Sequence, residues 1–241
     1  RFIDRFNGKL FNSHGMRLPQ YRGGGGYSWQ MMRRFRMGYS LLHFVDAGID
    51  TGDVLQVHEF QFPASCRTPE EFYEHLQGED EKLFAEFIER ITTDYHWTPA
   101  AQPEYLSIYF PRLNTMEHGW IDWRWPSRDI ESFAQAFENP YPGASTLVDG
   151  HRVFLKQVMV EPDDGRFHPF MAGLIYRTDL SSICVATRDV GIRISEVLDE
   201  NGDSVMPRLK QGTRLFTPRE HLDAARSHRA VYGPSGVITS A

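Results

Sequence analysis

The segment Phe11–Gln30, FNSHGMRLPQYRGGGGYSWQ, places an asparagine and a histidine two residues apart, just before a glycine-rich loop. Side chains two residues apart on a strand point in the same direction, so Asn12 and His14 can project together if the segment is extended. His14 can accept and return a proton near neutral pH. Asn12 offers an amide N–H that can stabilise a developing oxyanion. The pair therefore indicates acid–base chemistry that uses neither a metal nor a serine or cysteine nucleophile.

Such a site also needs a carboxylate that orients the imidazole and stabilises its cation. Asp50 is the best candidate, because it lies in the turn AGIDTGD, where Gly48 and Gly52 permit a close approach of the backbone to a ligand. An N-x-H pair in a loop and an aspartate in a glycine turn are also common as local hydrogen-bonding arrangements. The spacing alone therefore leaves catalysis and a purely structural role both open.

An alternation of strand-like and helix-like patterns over the first hundred residues predicts an α/β layer that would position this pair. The pattern predicts strands over 9–12, 40–46 and 54–60, and a helix that is capped by Ser28 and stopped by Gly38. Thr68 and Glu71 form a capping box that opens a second helix, which Gly78 could break. If strand 9–12 belongs to an open α/β sheet, Asn12 and His14 lie at its carboxyl end, the usual place for a ligand.

The second half of the chain has a different pattern, with short strands separated by turn signals. A helix is predicted over 127–139, strands over 151–160, 172–177, 182–188 and 191–197, and a final helix from a second capping box at Thr217 to about His228. Short strands at this spacing predict a small all-β barrel or sandwich. We therefore predict an α/β domain in residues 1–100, a linker in 101–118, and a second domain in 119–241 that carries a terminal helix.

Composition and charge limit the classes of function. The chain has 241 residues, of which 41% are hydrophobic, and its net charge is −6. Residues 1–100 carry 11 Lys and Arg against 14 Asp and Glu, and residues 101–241 carry 15 against 18. Neither half is basic, as a dedicated nucleic-acid binder usually is. No run of about 18 apolar residues occurs, so no membrane partner is predicted. The two cysteines, Cys66 and Cys184, are far apart and suit a reducing cytoplasm, and no zinc-type spacing occurs.

The order of several motifs resembles the formyltransferase family that uses 10-formyltetrahydrofolate. In the first half, N-x-H-x-x-x-L-P-x-Y-R-G begins at Asn12 and is followed by G-I-D-T-G-D from Gly48. In the second half, I-D-W at Ile121 and N-P-Y-P-G-A at Asn139 resemble the start of the OB-like carboxyl-terminal domain of methionyl-tRNA formyltransferases and nucleotide-sugar formyltransferases. The resemblance implies the carboxyl-terminal portion of a Rossmann-like catalytic domain, followed by a small OB-like barrel.

The resemblance also implies roles for particular residues. The catalytic asparagine, histidine and aspartate of the family fall on Asn12, His14 and Asp50. In that mechanism a neutral primary amine attacks the formyl carbon of the folate, while the asparagine steadies the oxyanion and the histidine, polarised by the aspartate, handles the protons. The residues expected to contact the 10-formyltetrahydrofolate are Met16, Arg17, Leu18, Pro19, Gly48 and Ile49. No metal is expected.

The resemblance implies further βαβ units, about one hundred residues long, before Arg1. We therefore expect the chain to lack the amino-terminal part of the catalytic domain, so its activity on its own would be doubtful. The arrangement is compatible with a homodimer.

The resemblance to the two-domain members of the family leaves two candidates for the formyl acceptor. A nucleotide-linked amino sugar is favoured over methionyl-tRNA, because both halves of the chain are acidic. The spacing from Gly15 to Trp29 also resembles that of the nucleotide-sugar enzymes. An interpretation of a different class remains open, in which the chain is an inactive fragment that acts as an OB-type binding module.

Overall fold

A computed structural model of the chain describes residues 3–93, 96–233 and 236–238. Its contacts divide the chain into two compact units, Arg1–Gln30 with Phe35–Arg112, and Met31–Arg34 with Leu113–Ala241. Arg1, to which the expectation about the start of the chain refers, lies outside the described residues. Over the described ranges, every helix is too short or too polar to cross a membrane. The predicted domain limits stay predictions.

The described residues of the first unit contain five strands and two α-helices. In chain order these are β1 (Phe11–His14), β2 (Arg22–Gly23), α1 (Gly26–Met32), β3 (Met37–Phe44), β4 (Val54–Gln61), α2 (Pro69–Thr92) and β5 (Tyr109–Phe110). The strands β1, β3 and β4 form one antiparallel sheet in that order, and β2 pairs with β5 in parallel. β3 lies in the centre of the sheet, and six of its eight residues are buried.

The main sheet of the first unit is antiparallel. β1 begins two residues later than predicted and includes His14, and it pairs antiparallel with β3 so that Asn12 lies opposite His43. Asn12 therefore lies inside a paired strand, and His14 is the last residue of that strand, at its carboxyl end. Cross-strand pairing with β3 positions them, because neighbouring strands hold paired side chains about 5 Å apart.

Of the two helices of this unit, α2 begins where its capping residues predict, whereas α1 does not. α2 begins at the predicted capping box, in which Thr68 Oγ1 accepts from the backbone N–H of Glu71 and the Glu71 carboxylate accepts from that of Thr68. It runs through Gly78 to Thr92, since one glycine costs a helix only about 1 kcal/mol. The prediction for α1 is wrong in its start and its end. It begins at Gly26, so Ser28 lies buried inside the helix instead of capping it, and it ends at Met32.

The core of this unit lies between β3 and α2. Leu42 of β3 packs against Leu83 and Phe87 of α2. Phe62 stacks on Phe72 with 4.0 Å between the ring centroids, and both side chains are almost fully buried. The alternation of β3 places Leu42 on the helix side, so its neighbours Leu41 and His43 face the opposite side of the sheet.

The second unit is built on a six-stranded antiparallel sheet. Its elements are α3 (Thr115–His118), α4 (Ser127–Ala136), β6 (Ala144–Val148), β7 (His151–Glu161), β8 (Ile175–Thr178), β9 (Ile183–Ala186), β10 (Gly191–Leu198), β11 (Leu215–Phe216), α5 (Arg219–Ser227), β12 (Val231–Gly233) and β13 (Gly236–Ile238). The sheet order is β11–β6–β7–β10–β9–β8, and β12 and β13 form a separate pair. Short 3-10 turns cover Ile3–Phe6, Glu104–Leu106, Pro162–Asp164, Pro169–Met171 and Met206–Arg208.

The curled sheet of the second unit is open over the described strands. Its two edge strands, β8 and β11, form no ladder with each other, although the bridge between Leu174 and Arg214 and a few backbone hydrogen bonds, such as Leu215 N–H to the Gly173 carbonyl at 2.8 Å, join their ends. The closed OB-like barrel is therefore not confirmed, whereas the mixed α/β class of the chain is. α5 begins where predicted, but its capping box does not form, because the Thr217 hydroxyl hydrogen-bonds Thr146 Oγ1 at 3.1 Å instead.

Candidate active site

The three predicted catalytic side chains converge in the first unit. His14 Nδ1 lies 4.0 Å from Asp50 Oδ1. Asn12 does not contact Asp50 in this way but hydrogen-bonds His43, which lies beside Asp50. The Asn12 Nδ2 group donates to His43 Nε2 at 3.1 Å, and His43 Nε2 lies 3.8 Å from Asp50 Oδ1. Two segments almost forty residues apart in sequence thus bring an amide, two imidazoles and a carboxylate together.

Backbone carbonyls fix the tautomer of each histidine. His14 Nε2 donates to the carbonyl oxygen of Tyr21 at 2.9 Å, and His43 Nδ1 donates to that of Phe44 at 2.8 Å. In the neutral form, the other ring nitrogen of each histidine therefore carries a lone pair. The lone pair of His43 Nε2 accepts from the Asn12 amide, and His14 Nδ1 lies 4.0 Å from Asp50 Oδ1.

His43 is a site residue that the sequence reasoning did not assign. It is almost completely buried, and it lies opposite Asn12 in the β1–β3 register. It accepts one hydrogen of the Asn12 amide and so holds that side chain in place. The amide group of Asn12 carries a second hydrogen besides this one. The signal that could have found His43 is the position of a polar residue near the end of an otherwise apolar strand, Leu41-Leu42-His43-Phe44.

The turn that carries Asp50 is built by the short polar residues around it. Asp46 Oδ1 accepts from the backbone N–H of Gly48 at 2.9 Å and from the hydroxyl of Thr51 at 2.5 Å. Asp50 has a positive φ of 53°, a conformation that aspartate tolerates better than most residues. A Cβ on Gly52 would lie 1.9 Å from the carbonyl oxygen of Phe44, so only glycine fits there.

A buried arginine and a glutamine support the same turn from the side. Gln102 Nε2 donates to the backbone carbonyls of Asp50 and Gly52 at 2.9 and 2.7 Å. Its Oε1 accepts from two nitrogens of Arg22, which also donates to the Glu104 carboxylate at 2.7 Å. Asp50 Oδ2 accepts from the backbone N–H of Gly23 at 2.9 Å. Asp50 is therefore held by both its backbone and its carboxylate.

Burial dominates the electrostatics of His14. It lowers the pKa of the imidazole below its usual value, while the Asp50 carboxylate and the Tyr21 carbonyl act in the opposite direction and His43 lowers it further. His14 is consequently neutral at pH 7. It presents a lone pair on Nδ1, and an imidazolium that formed there would be stabilised by Asp50.

The predicted folate-contacting residues separate into three places. Met16 is buried and lines a cavity of about 390 Å³, which His14 and Arg22 also line. Arg17, Leu18 and Pro19 line a second cavity of about 190 Å³, together with residues of β3 and β4.

Gly48 and Ile49 line neither of these two cavities. The backbone N–H of Gly48 donates to the carboxylate of Asp46, and the Ile49 side chain is 58% exposed.

The site has two chemical uses. A neutral imidazole facing a carboxylate can take up a proton, and the remaining amide hydrogen of Asn12 can donate to an oxyanion. One ligand atom from each of His14, His43 and Asp50 also lies within 4.8 Å of the others, a grouping that could hold a metal ion. Histidines that donate their second N–H to a carbonyl are typical of metal ligands, so the absence of a metal stays a prediction.

Three comparisons place the chain among known proteins. The family described as "Formyl transferase, C-terminal domain" matches residues 114–209. The methionyl-tRNA formyltransferase of Clostridium perfringens (strain 13 / Type A) is 30% identical over 176 residues, which are 73% of this chain and 55% of that protein. The chain thus spans about half the length of the curated relatives it matches.

Solved structures agree in fold. A variant of HypX from Aquifex aeolicus has a TM-score of 0.62 at 21% identity, covering 82% of this chain and 35% of that one. The N-formyltransferase of Helicobacter canadensis, in complex with folinic acid and dTDP-3-aminofucose, has a TM-score of 0.60 at 20% identity, covering 79% of this chain and 66% of that one. Residues 114–209 thus match the carboxyl-terminal domain of the formyl transferase family, and the chain as a whole is similar in sequence to methionyl-tRNA formyltransferases.

Proposed function

We propose that this chain carries the catalytic residues for formyl transfer from 10-formyltetrahydrofolate to a primary amine, with Asn12, His14 and Asp50 in the catalytic roles. The observation that supports this most is their convergence: the basic nitrogen of His14 lies 4.0 Å from the Asp50 carboxylate, and Asn12 is held beside them by His43. If these residues only formed local turns, there would be no reason for side chains from separate segments to lie next to one another.

In the proposed reaction, the neutral amine attacks the formyl carbon and the carbonyl oxygen becomes an oxyanion. The second N–H of Asn12 donates to that oxygen. His14 Nδ1 takes a proton from the attacking nitrogen, and Asp50 stabilises the resulting imidazolium. The same proton then passes to the departing nitrogen of the folate, which leaves tetrahydrofolate and the N-formyl product. His43 acts as a positioning residue because it holds the Asn12 amide.

The donor would bind through the loop Met16–Pro19. Met16 lines the cavity of His14, and Arg17, Leu18 and Pro19 line the neighbouring cavity, so the loop separates two spaces beside the proposed catalytic residues. Relatives in fold were solved with folate compounds, which supports the same class of donor here. The contacts expected of Gly48 and Ile49 have less support, since neither residue lines these cavities.

The proposed acceptor is the amino group of a nucleotide-linked amino sugar. The acidic balance of both halves of the chain supports it, because binding of tRNA needs cationic side chains that neutralise phosphates. Methionyl-tRNA is the second candidate, and the sequence relatives that are methionyl-tRNA formyltransferases favour it. A closed OB-like form of the second unit, a cytoplasmic location and a homodimer stay predictions.

The test is product analysis with the purified chain. The chain is incubated with 10-formyltetrahydrofolate and, in separate reactions, with dTDP-3-aminofucose or methionyl-tRNA, and the mass of each acceptor is measured. We expect one formyl group on the sugar amine, and we expect His14→Ala and Asp50→Ala to abolish the reaction without loss of fold.

Asp53→Asn is the matched control, because it removes an exposed carboxylate three residues from Asp50. Near-normal turnover in His14→Ala would refute the proposed mechanism. Folded wild-type protein that formylates neither acceptor would favour the binding-module interpretation.

A further inference from the structure

The side-chain amide of Gln102 uses all four of its hydrogen-bonding positions. Its Nε2 group donates to the backbone carbonyls of Asp50 and Gly52, at 2.9 and 2.7 Å. Its Oε1 accepts from both Nε and Nη2 of Arg22, at 3.1 and 3.0 Å. An amide has two hydrogens and two acceptor lone pairs, so every position has a protein partner and none is left for a ligand. Gln102 is therefore fixed in one orientation.

A bridge between two backbone segments brings Gln102 to the Asp50 turn, although the two residues are 52 positions apart. The N–H of Val54 donates to the carbonyl of Ala100 at 2.9 Å, and the N–H of Ala100 donates back at 2.8 Å. This bridge aligns the chain before Gln102 with the first residue of β4, directly after the turn. Gln102 then bonds the carbonyl of Asp50, whose φ is 53°, and so stabilises a backbone conformation that is costly for most residues.

Arg22 holds the other end of the Gln102 amide. Its side chain is almost fully buried, and its Nη1 donates to the Glu104 carboxylate at 2.7 Å and to the Ser107 hydroxyl at 3.1 Å. The planar guanidinium presents Nε and Nη2 side by side, and both donate to the single oxygen Oε1 of Gln102. A buried arginine with these partners cannot move without breaking several hydrogen bonds, so Arg22 and Gln102 form one rigid pair.

The backbone on both sides of Arg22 contacts the proposed catalytic pair. The carbonyl of Tyr21 accepts from His14 Nε2 at 2.9 Å, and the N–H of Gly23 donates to Asp50 Oδ2 at 2.9 Å. Tyr21, Arg22 and Gly23 are consecutive, so one short segment holds both the ring of His14 and the carboxylate of Asp50. These contacts close a ring in which His14 Nδ1 and Asp50 Oδ1 lie 4.0 Å apart. The position of Arg22 therefore helps to set that distance.

We propose that Gln102 and Arg22 are positioning residues, which keep the Asp50 carboxylate at the distance from His14 at which it stabilises the imidazolium. This inference rests on the proposed function, because it assigns the pair a role in the reaction that His14 and Asp50 carry. In this role neither Gln102 nor Arg22 contacts the reacting atoms. A displacement of about 1 Å at a catalytic group can lower a rate about a hundredfold, so a remote contact of this kind has a measurable effect.

The first experiment measures the position of Asp50 without turnover. Hydrogen exchange is followed by NMR at the N–H of Gly23, which donates to Asp50, and at the N–H of Gly24, which donates to the carbonyl of Phe110. In Gln102→Leu, the side chain keeps its bulk but loses its donors and its acceptor. We expect Gly23 exchange to accelerate about tenfold, whereas Gly24 exchange stays within about twofold of wild type.

The second experiment measures kinetics with 10-formyltetrahydrofolate and dTDP-3-aminofucose. We expect Gln102→Leu to lower kcat about tenfold, with both KM values within about twofold of wild type, because no polar group of Gln102 is left to bind a ligand. If Gln102 acts through the Asp50 charge, the double variant Gln102→Leu/Asp50→Asn has the kcat of Asp50→Asn alone, within about twofold. A general disturbance of the fold would instead lower kcat by the same factor in both backgrounds.

Further variants separate the two ends of the Gln102 amide and provide a control. Gln102→Glu, ionised at neutral pH, keeps oxygens that accept from Arg22 but cannot donate to carbonyls, so it should lose as much kcat as Gln102→Leu. Arg22→Lys keeps a cation near Glu104 but lacks the paired nitrogens, so we expect a smaller loss, about threefold. Gln77→Leu makes the same change at an exposed glutamine of α2 and should behave like wild type.

Each outcome decides the role of Gln102. Wild-type exchange at Gly23 in a folded Gln102→Leu protein would overturn the proposal, as would equal acceleration at Gly23 and Gly24. A raised KM with unchanged kcat, or losses that multiply in the double variant, would also overturn it. If the wild type forms no formyl product, the proposed function is refuted, while the exchange at Gly23 still shows whether Gln102 fixes Asp50.

Discussion

Replacing Asp50 by Asn tests the electrostatic part of the site in isolation. The substitution keeps the shape of the side chain and an oxygen that can accept from the N–H of Gly23, but it removes the charge that lies 4.0 Å from His14 Nδ1. At that distance, the attraction between an imidazolium and a carboxylate is about 4 kcal/mol at an effective dielectric constant of 20 and about 1 kcal/mol in bulk water. Because the imidazolium forms only during the reaction, we expect kcat to fall between about fivefold and about a thousandfold.

The same substitution should also change how the stability of the protein depends on pH, which can be measured without an activity assay. In the wild type, burial lowers the pKa of His14 below its unfolded value and Asp50 counteracts this, so the stability linked to His14 is present above the unfolded pKa and is lost as the pH falls through it. Without Asp50, the pKa of His14 is lower still. We expect Asp50→Asn to lose more free energy of unfolding between pH 7.5 and pH 5.5 than the wild type, and the acidic limb of the pH–rate profile to move to lower pH.

Two measurements check this prediction. Urea denaturation at several pH values gives the free energy of unfolding, and NMR titration of the His14 ring follows its protonation directly. Asp53→Asn, which removes an exposed charge from the same turn, should behave like the wild type. An Asp50→Asn protein with kcat within twofold of wild type and an unchanged His14 titration would refute the assigned interaction.

Other predictions concern the cluster of His14, His43 and Asp50, the buried hydroxyl of Tyr27, and Gly52. Zn²⁺ should inhibit formyl transfer and raise the melting temperature, because one ligand atom from each of His14, His43 and Asp50 lies within 4.8 Å of the others; a melting temperature that responds equally in His43→Ala would contradict this. Tyr27→Phe should stabilise the fold by about 1 kcal/mol in urea denaturation, since it removes a buried hydroxyl without a partner, and a loss of stability would disprove that reading. Gly52→Ala should cost at least about 2 kcal/mol, because its Cβ would meet the backbone oxygen of Phe44 at 1.9 Å; equal denaturation midpoints would show that the turn can relax.

Features set by local spacing could be predicted from the sequence. The capping box at Thr68 and Glu71 forms as its spacing indicates, because both partners lie within one helical turn. Asn12 and His14 lie on one strand, two residues apart, and therefore share a face. The second capping box shows the limit of such reasoning. Thr217 has the right spacing, but its hydroxyl bonds Thr146 in the sheet, so a tertiary partner replaces the local one.

The sequence alone thus determined the start of α2, which depends on neighbours within a few positions, and it indicated the mixed class of the fold. It indicated the proposed catalytic residues through the order of motifs that resemble a known family. Only the tertiary structure decided that His43 holds Asn12 across 31 residues and that Gln102 supports the Asp50 turn from 52 residues away. The physical reason is that the register of β1 on β3 and the burial of each polar group select its partner. Neither quantity is contained in the local spacing, because both arise only when distant segments pack together.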